Sequence, residues 1–282
     1  MNALPLLAMS RVATGSSILS PPGRPPVVRL AATSDLHIKG GEDLDAFPGL
    51  FDLGGRADLL LIAGDITESG RLVEAAAAAE LLACVGLPIV AVLGNHDWRT
   101  MRRTEFRRIL ERAGIEVLDG GATTLQAGSG QVIGIAGTTG SGGGFWPVAG
   151  PDAIHTRTMK RLAVRASREC NALETALSAL DADFRVAAMH FAPTASTLGD
   201  EPLAKYWMLG NSELGAVIDR RRPDLVIHGH AHRGTLRGAT PGGVPVLNVG
   251  LPVVGRVHVE VVGVPRSDRV STAGVSPVAA RR

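Results

Sequence analysis

Five short segments of this chain carry residue types that hold cations or move protons. They are Asp35-Leu36-His37, Gly64-Asp65, Gly94-Asn95-His96-Asp97, His190 and Gly229-His230-Ala231-His232. Imidazole together with carboxylate suits Zn, Mn or Fe, and the lack of a neighbouring Cys excludes thiolate-preferring metals. Asp35 and His37 are two residues apart, so on an extended segment both side chains point the same way. His230 and His232 repeat that spacing. Asp65 offers two oxygens and can bridge two cations. Asp35, His37, Asp65, Asn95, His190, His230 and His232 are therefore candidate metal ligands, too many for one tetrahedral ion and suited to two open ones. Two cations about 3.5–4 Å apart clamp a phosphate and share a water, whose pKa a bound dication lowers toward neutrality. His96 is the imidazole left over, with Asp97 beside it. A His next to an Asp can be held in one tautomer and act as acid to a leaving oxygen.

Each of these segments follows an apolar run. Val27–Ala32, Ala57–Ala63, Pro88–Leu93, Arg185–Met189 and Leu225–Ile227 read as strands, and the polar residues sit just past their C-terminal ends. That edge is where open α/β sheets build ligand sites. Between them, Leu72–Val85 reads as a helix from its Ala and Leu content. Thr104–Ala113 reads as a helix with Gly114 as its stop. Up to there the order is βαβαβ, suited to parallel pairing. Ile115–Leu118, Thr123–Gln126 and Val132–Ala136 are short strands close together, which predicts an antiparallel patch. Residues 153–179 and Ser212–Arg221 are predicted helices, the latter closed by Pro223. Thr235–Arg237, Val244–Asn248 and Arg256–Val262 complete the strands. The expected fold class is mixed α/β: two mixed sheets face to face with helices outside.

At 282 residues, 45% hydrophobic and 20% charged, the chain can bury a sizeable core. The net charge of +2 misleads. Residues 1–26 carry +2 and residues 265–282 carry +3, which leaves −3 on the stretch between. That balance argues against a nucleic-acid partner. Arg220-Arg221-Arg222 reads as a set of helix-end cations favoured by the dipole. Residues 1–26 end in a Pro-rich linker and read as a disordered tail, and so do residues 265–282. One domain is expected over 27–264. Cys84 and Cys170 form no metal or disulfide pattern, and a reducing, cytoplasmic setting fits two isolated thiols. No run of eighteen apolar residues exists, so no membrane span is expected.

Taken in order, Asp35-x-His37, Gly64-Asp65, Gly94-Asn95-His96-Asp97, His190 and Gly229-His230-Ala231-His232 resemble the motif set of the calcineurin-like metallophosphoesterases. The match runs over residues 29–251. The resemblance implies a four-layer αββα sandwich with a dinuclear metal site at strand ends. It assigns Asp35, His37, Asp65 and His232 to one metal, and Asp65, Asn95, His190 and His230 to the other. It casts His96 as transition-state stabiliser or leaving-group acid, oriented by Asp97. Gly140–Phe145, His190–Thr194 and Thr197–Pro202 resemble a bacterial subgroup of phosphohydrolases of unassigned substrate.

The function so implied is hydrolysis of a small-molecule phosphate mono- or diester by a metal-bridging water or hydroxide, with two ions drawn from Mn, Fe or Zn. Segments 35–37 and 64–70 look similar to those of the bacterial cyclic-nucleotide branch, which gives a slight preference for a diester. The alternatives are a nuclease or protein phosphatase on the same scaffold, or a non-catalytic scaffold that need not keep His96 and a full ligand set. His228 is expected to be structural or to support the ligand residues from behind, and His155 and His258 to be surface or packing residues. Gly140–Gly144 lacks the P-loop Lys and reads as a flexible wall of the cleft. Trp146, Lys205, Tyr206 and Trp207 either border the pocket or pack a loop.

Overall fold

The computed structural model describes residues 27–127, 130–145, 148–149 and 157–263. The expected tails at 1–26 and 265–282, with His155 and Trp146, lie outside them.

In chain order the strands are β1 (Val28–Thr33), β2 (Leu59–Ala63), β3 (Ile89–Val92), β4 (Ile115–Leu118), β5 (Gly121–Gln126), β6 (Val132–Thr138), β7 (Gly144–Phe145), β8 (Val148–Ala149), β9 (Phe184–Met189), β10 (Leu225–His228), β11 (Arg237–Ala239), β12 (Pro245–Asn248) and β13 (His258–Val262). The helices are α1 (Leu72–Ala83), α2 (Arg103–Arg112), α3 (Arg157–Ala179), α4 (Tyr206–Leu209), α5 (Ser212–Arg221) and α6 (Leu251–Val254). One sheet has the order β13-β1-β2-β3-β4, the other β11-β12-β10-β9-β6-β5, and β7-β8 is a separate hairpin.

Both sheets are mixed. β1 to β4 are mutually parallel, with β13 antiparallel on β1. In the second sheet β6, β9, β10 and β12 are parallel, with β5 and β11 antiparallel at the edges. The predicted antiparallel patch is thus split. β4 joins the first sheet parallel to β3, and only β5 and β6 pair antiparallel. Proximity in sequence did not decide it, because Ile115 and Val117 had an apolar face to complete beneath α2. The expected strand Thr235–Arg237 starts two residues later, at Arg237.

The strands read as unbroken apolar runs because both faces of each sheet are covered. Along β2, Leu59, Leu61 and Ala63 face the second sheet, packing with Val90, Ile135, Val186 and Ile227. Leu60 and Ile62 face the other way, toward Ala75, Leu82, Phe106 and Leu110 of α1 and α2. On the far sheet, Ala136, Ala187 and Val226 pack against Leu173, Leu177, Leu214 and Ile218 of α3 and α5. The result is the four-layer αββα order. Truncating a fully buried Leu such as Leu61 to Ala would cost about 2–5 kcal/mol.

At the C-terminus of α5, Arg222 takes the left-handed cap (φ 45°) before Pro223. Arg220 and Arg221 both reach Glu174 of α3, at 2.9 and 3.0 Å. Cys84 is exposed and Cys170 buried, and neither is in a disulfide. No helix among the described residues is long and apolar enough to cross a membrane.

Candidate metal centre

Because β1, β2, β3, β9 and β10 run parallel within their sheets, the segments that follow them leave from one edge of the sandwich. There the far-separated motifs meet. The rings of His37 and His232 are 5.5 Å apart, those of His190 and His230 4.8 Å, and those of His37 and His96 4.6 Å. Ligand-capable atoms of Asp35, His37 and His232 lie within 4.8 Å of one another, and so do those of Asp65, His190 and His230. Asp65 also joins His37 and His96 in a third such group. Its Oδ2 is 3.3 Å from His190 Nε2 and 3.9 Å from both His37 Nε2 and His96 Nε2. Asn95 Oδ1 is 3.0 Å from His190 Nε2. Every residue expected as a ligand is therefore at this edge, with Asp65 in the middle.

The backbone that delivers these side chains is not extended. Among the described residues, five non-glycines have left-handed φ, and four of them are Asp35 (58°), His37 (49°), Asp65 (49°) and His230 (69°). Such positions cost about 1–3 kcal/mol each and persist only where surroundings enforce them. The expectation that Asp35 and His37 share a side through strand pleating is thus corrected: each turns inward through a left-handed residue. The enforcing contacts are visible. Asp35 N–H bonds to the Gly64 carbonyl and His37 N–H to the Asp65 carbonyl, both at 3.1 Å. The glycines ahead of the motifs make room. A Cβ on Gly94 would overlap Asp65 Oδ1, and one on Gly229 would overlap Ser34 Oγ.

Protonation follows from burial and neighbours. His190 is fully buried, with Nδ1 donating to the Ala63 carbonyl at 2.9 Å. Burial works against its imidazolium, but the Asp65 carboxylate outweighs it and pushes the pKa up to about 9. Burial raises the Asp65 carboxyl as well, yet the charge of His190 and its hydrogen bonds hold it far below the usual range. Asp35 is likewise held low, the bond from His232 at 3.0 Å prevailing over burial. His232 is raised, by that bond from its side. His230 is pushed down to about 3 by burial and by the charge on His190, and its Nε2 donates to the Met208 carbonyl at 3.2 Å. His37 is lowered by burial, against the pull of Asp65 and Asp35.

Two observations fit this set to cations. Both ring nitrogens of His37 are buried without a hydrogen-bond partner, a state that costs about 1–3 kcal/mol unless something else supplies the contact. In addition, His190 Nε2 faces two acceptors, Asp65 Oδ2 and Asn95 Oδ1. Three electron-rich groups turned toward one point are what a cation requires, and a proton holds them together otherwise.

Asp97 departs from expectation. Its carboxylate does not touch the His96 ring. It is fully buried and accepts from Gly94 N–H (2.9 Å), Ile66 N–H (3.1 Å), Thr67 N–H (2.8 Å) and Thr67 Oγ1 (2.8 Å). Burial and the nearby Asp65 charge raise its pKa to about 6, against those four bonds. Asp97 thus ties the β2 loop to the β3 loop. His96 is held instead by the Glu68 carbonyl, 2.5 Å from Nδ1, while Arg99 Nη2 lies 2.9 Å from its Nε2. The ring therefore carries its proton on Nδ1 and accepts from Arg99.

Sequence reasoning missed Glu68, whose carboxylate oxygens stand 3.6 Å from His37 Nδ1 and 3.9 Å from His96 Nδ1. Its place three residues after Asp65 was the available signal. The Met208 carbonyl left none, since any residue supplies one. His228 is structural as expected, buried with Nε2 2.8 Å from Thr197 Oγ1 and its pKa lowered to about 4 by burial. His258 pairs with Glu260 at 2.8 Å. Gly140–Gly144 is not a free wall: Gly143 and Gly144 N–H groups bond to the carbonyls of Trp207 and Gly210, both at 2.9 Å. Tyr206 packs edge-on to Phe145.

The family model of the calcineurin-like phosphoesterases matches residues 28–234. The chain belongs to the calcineurin-like phosphoesterases. It is accordingly a hydrolase of phosphate esters, of a family that works with two metal ions. Among solved structures, this calcineurin-like phosphoesterase is similar to the protein TT1561 of Thermus thermophilus at 19% identity and TM-score 0.50, over 79% of this chain and 89% of that one. It is also similar to a Staphylococcus aureus protein described as a candidate 5′-nucleotidase, in complex with alpha-ketoglutarate. That match is at 15% identity and TM-score 0.52, over 79% of this chain and 48% of the other. At such identities the likeness is one of fold. No curated protein matches the chain.

Proposed function

We propose that this phosphoesterase hydrolyses a small phosphate mono- or diester at the edge where Asp65 stands between two ligand groups. What supports the reading is the nearness of Asp65 Oδ2 to three imidazoles, 3.3 Å from His190 Nε2 and 3.9 Å from both His37 Nε2 and His96 Nε2. Asp35, His37, Asp65 and His232 would hold one cation, and Asp65, Asn95, His190 and His230 the second. Mn, Fe or Zn held there would supply Lewis-acid polarisation of the phosphate and activation of a water.

The chain's own groups do the rest. His230 and His37 are kept neutral by burial and so present lone pairs. Asp35 and Asp65 stay ionised. Asp97 braces the loop after Asp65, and the bond from His230 N–H to Oδ2 at 3.0 Å fixes the Asp35 carboxylate. His96 presents Nε2 toward Asp65, and the Arg99 guanidinium beside it adds a donor and a charge suited to phosphate oxygen. With its ring fixed by the Glu68 carbonyl, His96 would serve the leaving oxygen.

The test is metal analysis of purified protein, then a panel of p-nitrophenyl phosphate and bis(p-nitrophenyl) phosphate with Mn, Fe or Zn. Turnover is expected with wild type. In Asp65→Ala both metals and turnover are lost, and retained turnover there would contradict the bridging role. The ratio of the two esters separates mono- from diesterase.

A further inference from the structure

Beside the metal centre a groove of about 630 Å³ opens between the first half of α3 and Trp98. Among the described residues its rim carries Arg103, Arg157, Lys160, Arg161, Arg165 and Arg168, against Asp119 and Glu169. Its inner wall joins the candidate site. Trp98 follows Asp97 directly, and its Nε1 donates to Thr139 Oγ1 at 2.6 Å. The Thr139 carbonyl in turn accepts the His190 N–H at 3.0 Å. Arg99, next after Trp98, reaches His96, with Nη2 2.9 Å from its Nε2.

This clustering is costly for the protein alone. From Arg157 to Arg168 the helix has five cations and no acid. Cations in a first turn oppose the helix dipole, and α3 has no acid there to offset Arg157 and Lys160. Arg157 with Arg161, and Arg161 with Arg165, are like-charge pairs four apart, each unfavourable by about 0.2–0.5 kcal/mol. Arg165 is relieved by Glu169 at 3.4 Å. Among the described residues Arg157, Lys160, Arg161 and Arg168 have no carboxylate partner. Stretch 27–264 as a whole is negative, so the patch is not background charge. The Arg103 guanidinium carbon lies 4.5 Å from the centre of the Trp98 ring, which seats that cation on the wall of the groove.

We infer that the groove binds phosphate groups the metal centre does not touch, so that the substrate carries several phosphates in a row. The inference rests on the hydrolytic reading above but uses other residues. At 1.5 Å per residue the stripe is about 17 Å long, longer than a single phosphate needs. A nucleoside polyphosphate and a single nucleic-acid strand share this chemistry. The second would reverse the expectation drawn from net charge, because charge on one face, not its sum, governs such binding.

The test is stopped-flow anisotropy of metal-loaded protein with a fluorescent adenosine triphosphate analogue and with labelled twelve-residue oligothymidylate. Wild type is compared with Arg161→Gln/Arg168→Gln and Arg161→Lys/Arg168→Lys. The Gln variant should bind about tenfold more weakly, and for the strand its log–log salt slope should be shallower by about 1.4. The Lys variant should restore most of both, and melting temperature and metal content should match wild type. Tighter binding of the strand assigns the groove to nucleic acid, and equal binding assigns it to small polyphosphates. Absence of binding to either by wild type, or equal binding by the Gln variant, overturns the inference. Lack of turnover of both p-nitrophenyl esters by wild type would instead sink the hydrolytic reading and leave the groove result standing.

Discussion

His190 donates from Nδ1 to the carbonyl of Ala63 at 2.9 Å and turns Nε2 toward Asp65 Oδ2, 3.3 Å away. The two residues come from different sheets, so this pair ties the sandwich together at the edge where the candidate ligands meet. It also fixes which ring nitrogen is available. A metal-binding imidazole whose other nitrogen is held by a carbonyl has its tautomer and orientation set in advance.

The first prediction concerns protons. With its pKa raised to about 9, His190 is an imidazolium in the metal-free protein at pH 7. Metal loading must expel that proton. Calorimetry in buffers of different ionisation enthalpy should register proton release at pH 7, and metal affinity should fall as pH falls. The same pair makes the metal-free fold pH-dependent. Its stabilisation is complete below the unfolded His value near 6.5 and is lost as pH rises through about 9. Melting temperatures of metal-free wild type and His190→Gln should therefore converge between pH 7 and pH 10.

Replacing His96 separates chemistry from metal binding. His96→Ala should keep the metal content of wild type while kcat falls by about 10²–10⁴. Equal loss of metal would mark His96 as a ligand, since Asp65, His37 and His96 also form a group within 4.8 Å.

Asp97→Asn tests the bracing role. The amide keeps one acceptor and turns an NH₂ toward donors that the carboxylate now accepts from. About 1–3 kcal/mol of stability should be lost in urea titration, with metal affinity falling because the Asp65 and Asn95 loops lose their tie. An unchanged midpoint together with a shifted pH–rate profile would return Asp97 to direct control of His96.

Gly94→Ala tests the close approach behind Asp65. The added methyl would overlap Asp65 Oδ1 and its backbone nitrogen. Metal stoichiometry should drop, while a distant swap such as exposed Val73→Ala leaves it intact.

The sequence by itself determined the strands and the residues after them. Short unbroken apolar runs such as Leu59–Ala63 read as strands buried on both faces, and Asp, Asn and His directly past them read as ligands from residue type alone. Tertiary structure decided what spacing cannot encode. Ile115–Leu118 joined the first sheet because a face remained open beside β3. Asp35 and His37 converge through left-handed turns, not pleating, because contacts from the Gly64 and Asp65 carbonyls hold them there. Asp97 serves Thr67 and not its neighbour His96, since a buried carboxylate goes where the most donors are. The Arg stripe of α3 gained a direction only when Trp98 and Arg103 came to face it across a groove. Local chemistry is written in residue identity; which distant groups share a point is fixed by how two sheets pack.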